Sequence, residues 1–273
     1  AALFFSDHND LQLIQFSPQD PTLTFVNVDA ESTGFELEAL WRPAALPSLS
    51  LELKYSWLDA EYTDGEVLNL LNKTQGDPTL VELTNTDFPG STLVGYVAPI
   101  EQVLPLVDEA IAADAAVVTP HSVDSNGIPI FFSRGYLESA GVATSNGGLT
   151  DLDGKNMPNS PPHSIRLGAA YTWLLAPGAF TLRYDYYWQD SSYAREFNMP
   201  GDEINRWSQH NASAIFESAN GRWTIRAWVR NLTDEEIVTA HWVANDVDGN
   251  FRNYLMAEPR IYGASMRYNF GNL

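Results

Sequence analysis

The strongest constraint in this chain is a two-residue period that keeps returning with two chemically different sides. In Phe180, Leu182, Tyr184, Tyr186 and Trp188 every second residue is large and apolar, while Thr181, Arg183, Asp185, Tyr187 and Gln189 take the alternate positions. Only an extended strand sends successive side chains to opposite faces, so this run is a strand with one apolar and one polar face. The same pattern recurs near the end. Trp223, Ile225, Ala227 and Val229 alternate with Thr224, Arg226, Trp228 and Arg230, and Tyr262, Ala264, Met266, Tyr268 and Phe270 alternate with Ile261, Gly263, Ser265, Arg267 and Asn269.

Composition narrows what such strands can build. The chain has 8 Trp and 12 Tyr among 273 residues, yet no stretch reaches the roughly 18 apolar residues of a membrane helix. A segment that crosses a bilayer must then be β, and alternating strands leave only a weak hydropathy signal because every second residue faces lipid. On composition alone a secreted β-sandwich competes with this reading. The chain has no cysteine, which removes disulfides and thiolate metal sites, and its formal charge of −20 argues against nucleic acid as a partner.

Along the chain, alternation marks about eight strands: residues 3–16, Leu23 to Trp41, a run from Leu49 to about Tyr62, Ser164 to Trp173, Phe180 to Gln189, roughly Asn205 to Glu217, Trp223 to Arg230, and Ile261 to Phe270. Ala176-Pro177-Gly178 reads as a tight turn, Asn220-Gly221 as a two-residue hairpin turn, and Asp248-Gly249 as a third turn. The chain divides into strands over 1–62, a long connection over 63–162, and strands again over 163–273. The connection is rich in Gly, Pro, Asn, Ser and Thr, lacks sustained alternation, and holds one amphipathic piece near Glu101 to Val118. A connection of that length fits the external side of an outer-membrane barrel, where loops are long and the opposite turns short.

Several short segments then point to one family. Asn231-Leu232-Thr233-Asp234, Pro259-Arg260-Ile261-Tyr262-Gly263 and the closing Tyr268-Asn269-Phe270 resemble the C-terminal signature of TonB-dependent outer-membrane receptors. Phe5-Ser6-Asp7-His8-Asn9-Asp10-Leu11-Gln12, Gly34-Phe35-Glu36-Leu37-Glu38, Asp59-Ala60-Glu61-Tyr62 and the return through Leu152 to Ser164 are similar to other strand ends of that family. The family usually ends on the aromatic residue, whereas here Gly271-Asn272-Leu273 follow Phe270. The resemblance implies an all-β, transmembrane antiparallel barrel, with this chain as the C-terminal arc of about eight strands of a wall of roughly 22 strands. It also implies a plug and the earlier strands upstream of Ala1, so that Ile261 to Phe270 should not pair with residues 3–16. The function implied is TonB-energised uptake of a scarce solute, a ferric siderophore first, a corrinoid or oligosaccharide next. The implied partners are the bilayer and its lipopolysaccharide, TonB acting through the plug, and a small-molecule or metal-chelate ligand. A passive porin-like channel and a surface interaction protein acting through 63–162 are the alternatives.

The alternation also selects candidate site residues. Charges on the lipid face would each cost a few kcal/mol at the membrane midplane, so Arg166, Arg183, Asp185, Arg226, Arg230 and Arg267 should face the lumen, with Arg42, Lys54, Glu36, Glu38, Glu52 and Glu217. They read either as a wall of mixed ion pairs or as a polar path for a charged ligand. Trp41, Tyr55, Trp57, Trp173, Tyr184, Trp188, Trp223 and Tyr268 should face lipid. No enzyme motif is present, and no cofactor is expected. His8, His121, His163, His210 and His241 lack metal-ligand spacing, and adjacent Asp7 and His8 should point to opposite faces. Asp151 to Asn156 and Asp246 to Asn250 echo the start of a calcium loop but lack its closing Glu.

Overall fold

A computed structural model describes residues 1–16, 23–85, 95–112, 131–132, 134–243 and 251–270. Eight strands form one antiparallel sheet in sequence order. They are β1 (Ala2–Phe16), β2 (Leu23–Trp41), β3 (Leu49–Asp64), β4 (His163–Leu175), β5 (Gly178–Gln189), β6 (Trp207–Ser218), β7 (Trp223–Arg230) and β8 (Ile261–Tyr268). The sheet runs from β1 at one edge to β8 at the other, and among the described residues no ladder joins the two. The expectation that these strands do not close on each other is met.

Register makes the two faces continuous across all eight strands. Directly paired residues share a face, and Leu37, Tyr55, Ile165, Trp188 and Ser208 form one rung of the apolar side. The eight aromatic residues expected to face lipid all lie on that side. Large apolar side chains are open there: Leu3 and Tyr262 are each 79% exposed, with Phe5, Trp41, Leu167, Leu182, Ile225 and Met266 also open. A contiguous apolar surface of this kind marks a buried interface or a membrane.

Connections fall into two sets. At one rim the chain reverses through Arg42 to Ser48, Ala176-Pro177, and Ala219 to Arg222. Gly178, at the end of the second turn, has φ +151 and lies so close to β6 that an added Cβ would sit 2.0 Å from the Glu217 carbonyl oxygen. The third turn holds four residues rather than the two expected from Asn220-Gly221. The register Glu217 to Thr224 sets its length; Gly221 takes φ +65 inside it, and Ser218 Oγ accepts a 2.8 Å bond from the Trp223 amide. At the other rim lie the connections 65–162, 190–206 and 231–260. The β1–β2 link, residues 17–22, is no longer than the β2–β3 turn. There the length goes into the strands themselves.

Those extended strands curl over the polar side. A bulge between His8 and Leu11, with Asp10 at φ 59, resets the register. Beyond it the polar face turns apolar, and Val28, Ala30 and Tyr62 pack with Val67, Leu152 and Phe197 from the long connections. The 65–162 segment, read from sequence as largely irregular, also builds a second small core. Leu80–Asn85 pairs antiparallel with Tyr96–Pro99 and parallel with Phe131–Phe132, beside α1 (Ile100–Ala112) and α2 (Arg134–Ser139). Val81, Leu83, Tyr96, Val103, Leu137 and Val142 fill it, and fully buried Lys73 bonds Glu82. The amphipathic piece near Glu101 to Val118 forms α1 as far as Ala112, with residues 113–118 outside the described part. No described strand of 65–162 belongs to the eight-stranded sheet, although its last residues run along β3, where Asn156 bridges Glu61.

The Asn231 to Asp234 motif is a clasp between β7 and β8. Asn231 is fully buried at φ 49; its side chain accepts from the Glu235 amide (3.0 Å) and donates to the carbonyls of Glu235 (2.9 Å) and Glu258 (3.3 Å). Asp234, at φ 59, accepts from the Arg260 amide at 3.0 Å and pairs with its guanidinium at 3.2 Å. Asn and Asp tolerate this left-handed backbone better than other non-glycine residues, which accounts for their places in the motif.

Candidate functional site

The polar face of the sheet gathers charges that are far apart in sequence. Glu52, Gly168, Asp185 and Asn211 lie on one rung across β3 to β6. Gly168 leaves a gap in that rung, and the Arg183 guanidinium fills it. Arg183 Nε donates to Asp185 Oδ2 at 2.8 Å, while Nη2 reaches Asp185 Oδ1 at 2.5 Å and Glu52 Oε2 at 3.1 Å. A Cβ at position 168 would stand 3.1 Å from that Nη2. One rung toward the long-loop rim, Glu38, Lys54, Arg166, Tyr187 and Gln209 are aligned. Lys54 donates to Glu38 at 2.7 Å, whereas Arg166, directly opposite Lys54, has no ion-pair partner among the described residues. Ser56, Ser164, Arg166 and Tyr187 line a shallow recess of about 290 Å³ here.

The remaining candidates are spread along the face. Arg226 sits mid-strand between Ile215 and Ser265. Arg230 lies at the long-loop rim, 3.4 Å from Glu258 and with its guanidinium 5.4 Å above the Trp228 ring. Arg267 lies at the short-turn rim opposite Thr224 and donates to Asn269 Oδ1 at 3.2 Å. Arg166, Arg183 and Asp185 are thus neighbours, and the other three are not part of the same cluster. Arg42 follows β2 at the short-turn rim.

A second feature was not read from the sequence. At the long-loop rim, Glu203, Arg206, Trp207, Glu235, Arg252 and Tyr254 line a recess of about 350 Å³. Beside it the loop after β5 folds around Asp202, which is fully buried and bonded by Arg195 at 2.5 and 2.8 Å and by the Met199 amide at 3.0 Å. Burial pushes the neighbouring Glu196 carboxyl above its ordinary range, against the opposing pull of Arg195. Among the described residues, the indole N–H of Trp207 and both ring nitrogens of buried His241 have no hydrogen-bond partner. The sequence signal was too faint to find this recess, because its lining comes from two separate connections, 190–206 and 231–260, and the first residue of β6.

The histidines and acidic echoes resolve as local structure. Asp7 pairs with Glu31 and His8 with Ala30, on opposite faces. Asp151 Oδ1 accepts from the Asp153 amide in a turn that Gly154 completes at φ +69. Among the described residues no three His, Asp or Glu side chains are placed to hold a metal. His121, the Asp248-Gly249 turn, the Asp246 to Asn250 echo and Gly271-Asn272-Leu273 lie outside the described residues.

An antiparallel sheet with an exposed apolar face, a charged opposite face and all its longest connections at one rim is the wall of an outer-membrane type barrel. Comparison places it more narrowly. Residues 123–232 match the family model described as "TonB dependent receptor-like, beta-barrel". Three solved structures align over nearly all of it. The ferric yersiniabactin uptake receptor FyuA from Yersinia pestis does so over 98% of the chain, with 16% identity and a TM-score of 0.57. The siderophore receptor PiuA from Acinetobacter baumannii covers 97%, and BauA, the ferric preacinetobactin receptor from the same organism, covers 98%, each at 16% identity and a TM-score of 0.50. The chain spans 27%, 24% and 26% of those three chains, about a quarter of each. No curated protein matches it in sequence.

Proposed function

We propose that this chain is part of an outer-membrane receptor that takes up a scarce solute with energy delivered through TonB, and that the solute is a ferric siderophore. The observation that carries the reading is the two-faced wall: apolar and exposed on one side, lined by Glu52, Lys54, Arg166, Arg183 and Asp185 on the other. A wall of this kind separates lipid from a polar interior, which suits transport across the membrane. The alignment with three receptors named for siderophores or their iron complexes favours that solute over a corrinoid or an oligosaccharide. In this reading the long-loop rim faces outward, with 63–162 as an external cap, and the rim recess and the Arg166 to Arg183 region are successive polar surfaces on the solute's path. A mixed-sign lining suits passage, because no single charge grips the solute so firmly that it cannot leave.

The test is import of radiolabelled iron by iron-starved cells lacking the receptor gene, with and without the gene restored. Restored import that disappears when TonB is deleted or the proton gradient collapsed is the expected result. Import that persists without TonB would make the protein a passive channel, and iron import indifferent to the gene would remove the siderophore.

A further inference from the structure

Three recesses adjoin one another down the polar face. The rim recess of about 350 Å³ has Trp207 in its wall. Trp207 also borders a middle recess of about 320 Å³, which has Tyr187 in its wall as well, and Tyr187 in turn borders the recess of about 290 Å³ beside Arg166 and Lys54. Register accounts for this order. Tyr187 lies on the rung of Lys54, Arg166 and Gln209, and Trp207 on the next rung of that face toward the long-loop rim, with Ser56, Ser164 and Gln189. Their rings stand 5.0 Å apart and tilted by 46°, inside the range of favourable aromatic pairs.

Aromatic rings on this side ask for a reason, because the aromatic belts of a barrel face lipid. Both rings are half-buried. Tyr187 Oη donates to Gln189 Oε1 at 3.0 Å, which orients its ring, whereas no hydrogen bond among the described residues fixes the Trp207 indole. Charge divides the three recesses. The rim recess sets Glu203, Glu235 and Glu236 against Arg206 and Arg252, and the lower one sets Glu36 and Glu38 against Lys54 and Arg166. Between them the middle recess has no charged residue in its lining; Asn159, Gln189, Ser192 and Thr239 place amides and hydroxyls around the two rings. A compact trianion would give up hydration without meeting a surplus of positive charge in any of the three, and the connections at the long-loop rim carry most of the chain's negative excess. A flat ring of no charge meets neither penalty and gains contact with Trp207 and Tyr187.

We propose that Trp207 and Tyr187 form an aromatic step between the rim recess and the Arg166 recess, and that the chelate using it carries a flat aromatic ring and little or no net charge. The inference rests on the reading of the chain as part of a ferric-chelate receptor and adds the kind of chelate. The purified full-length receptor in mild detergent is titrated calorimetrically with three ferric probes: an uncharged tris-hydroxamate with one pendant phenyl ring, the same hydroxamate with cyclohexyl in place of phenyl, and a trianionic tris-catecholate. The phenyl probe should bind roughly tenfold more tightly than the cyclohexyl probe, equivalent to about 1.4 kcal/mol of ring contact, and the tris-catecholate should bind most weakly. Trp207→Leu and Tyr187→Leu should each erase the preference for phenyl, and Trp207→Phe, which keeps a ring, should retain most of it. Folding of each variant is followed by heat-modifiable migration on gels, and the unaltered receptor together with Trp207→Phe carries the test if the leucine variants do not fold.

Equal affinity of the unaltered receptor for phenyl and cyclohexyl overturns the proposal. So does tightest binding of the tris-catecholate, a folded leucine variant that keeps the preference, a folded Trp207→Phe that loses it, or no binding of any probe. Iron import that depends on the gene and on TonB, found alongside any of these results, would remove the aromatic step and leave the ferric siderophore standing; absence of that import would remove both.

Discussion

Replacing Asn231 by Ala should open the clasp between β7 and β8 without unfolding the wall. Asn231 holds the Glu235 amide at 3.0 Å and the carbonyls of Glu235 and Glu258 at 2.9 and 3.3 Å, all in a site that excludes water from its side chain. Two well-formed bonds and one long one, at about 1 kcal/mol each for the first two, together with roughly 1 kcal/mol for alanine in the left-handed backbone, give about 3 kcal/mol. That loss is local, because the β7–β8 ladder from Trp223 to Arg230 does not depend on it. Amide hydrogen exchange read by mass spectrometry on peptides covering 230–237 and 257–262 of the reconstituted receptor should accelerate by about a hundredfold, with β7 unchanged. Asn231→Asp keeps the acceptor and the backbone preference but loses both donors, so it should fall between. Acceleration of less than threefold in the Ala variant would mean that the motif does not close this end of the wall.

Three further outcomes follow from the same geometry. Leu182→Arg, on the exposed apolar face in mid-strand, should destabilise the barrel in vesicles by about 2–4 kcal/mol, while Ser213→Arg on the opposite face should cost under about 1 kcal/mol; guanidinium titration of refolded receptor separates them, and equal losses would reverse the facing. Gly178→Ala forces a methyl group against the Glu217 carbonyl at φ +151 and should cost about 3 kcal/mol or more by the same titration. Because burial raises the Glu196 carboxyl, the folded loop binds its proton more tightly than the unfolded loop. Its contribution is fullest below the unfolded carboxylate value and is lost as pH rises through the raised one. Hydrogen exchange over residues 193–204 should therefore quicken from pH 5 to pH 8 beyond its intrinsic dependence, and Glu196→Gln should flatten that difference.

What the sequence disclosed was whatever follows from a period of two. Phe180 to Gln189 and Trp223 to Arg230 assign their faces unaided, since one register slip would turn every charge into lipid. Arg183 and Asp185 were therefore legible as polar-face residues, but their bridge to Glu52 through the gap at Gly168 was not, because it needs the register of β3, β4 and β5 together. The small core around Leu83 and Leu137 escaped for a different reason. Its strands have six residues or fewer, too short for alternation to rise above chance, and a parallel pairing joins Thr84 to Phe131 across a long interval. Asn220-Gly221 misled in length because a turn pair marks where the chain reverses, while the partners Glu217 and Thr224 decide how many residues the reversal takes.

The chain leaves the wall on β3 and returns on β4, and these two strands are hydrogen-bonded neighbours from Leu49–Tyr171 to Trp57–His163. The ladder between them does not depend on the core built from Val81, Leu83, Tyr96, Val103, Leu137 and Val142. The folded insert with its own core is then a cassette: a different insert, longer or shorter, could be spliced between the same two strands while every lipid-facing and interior-facing position of the wall kept its place. With the long-loop rim outward, as proposed, a surface met by antibodies, phages and competing chelators could in this way be rewritten while the paired strands of the wall stay as they are.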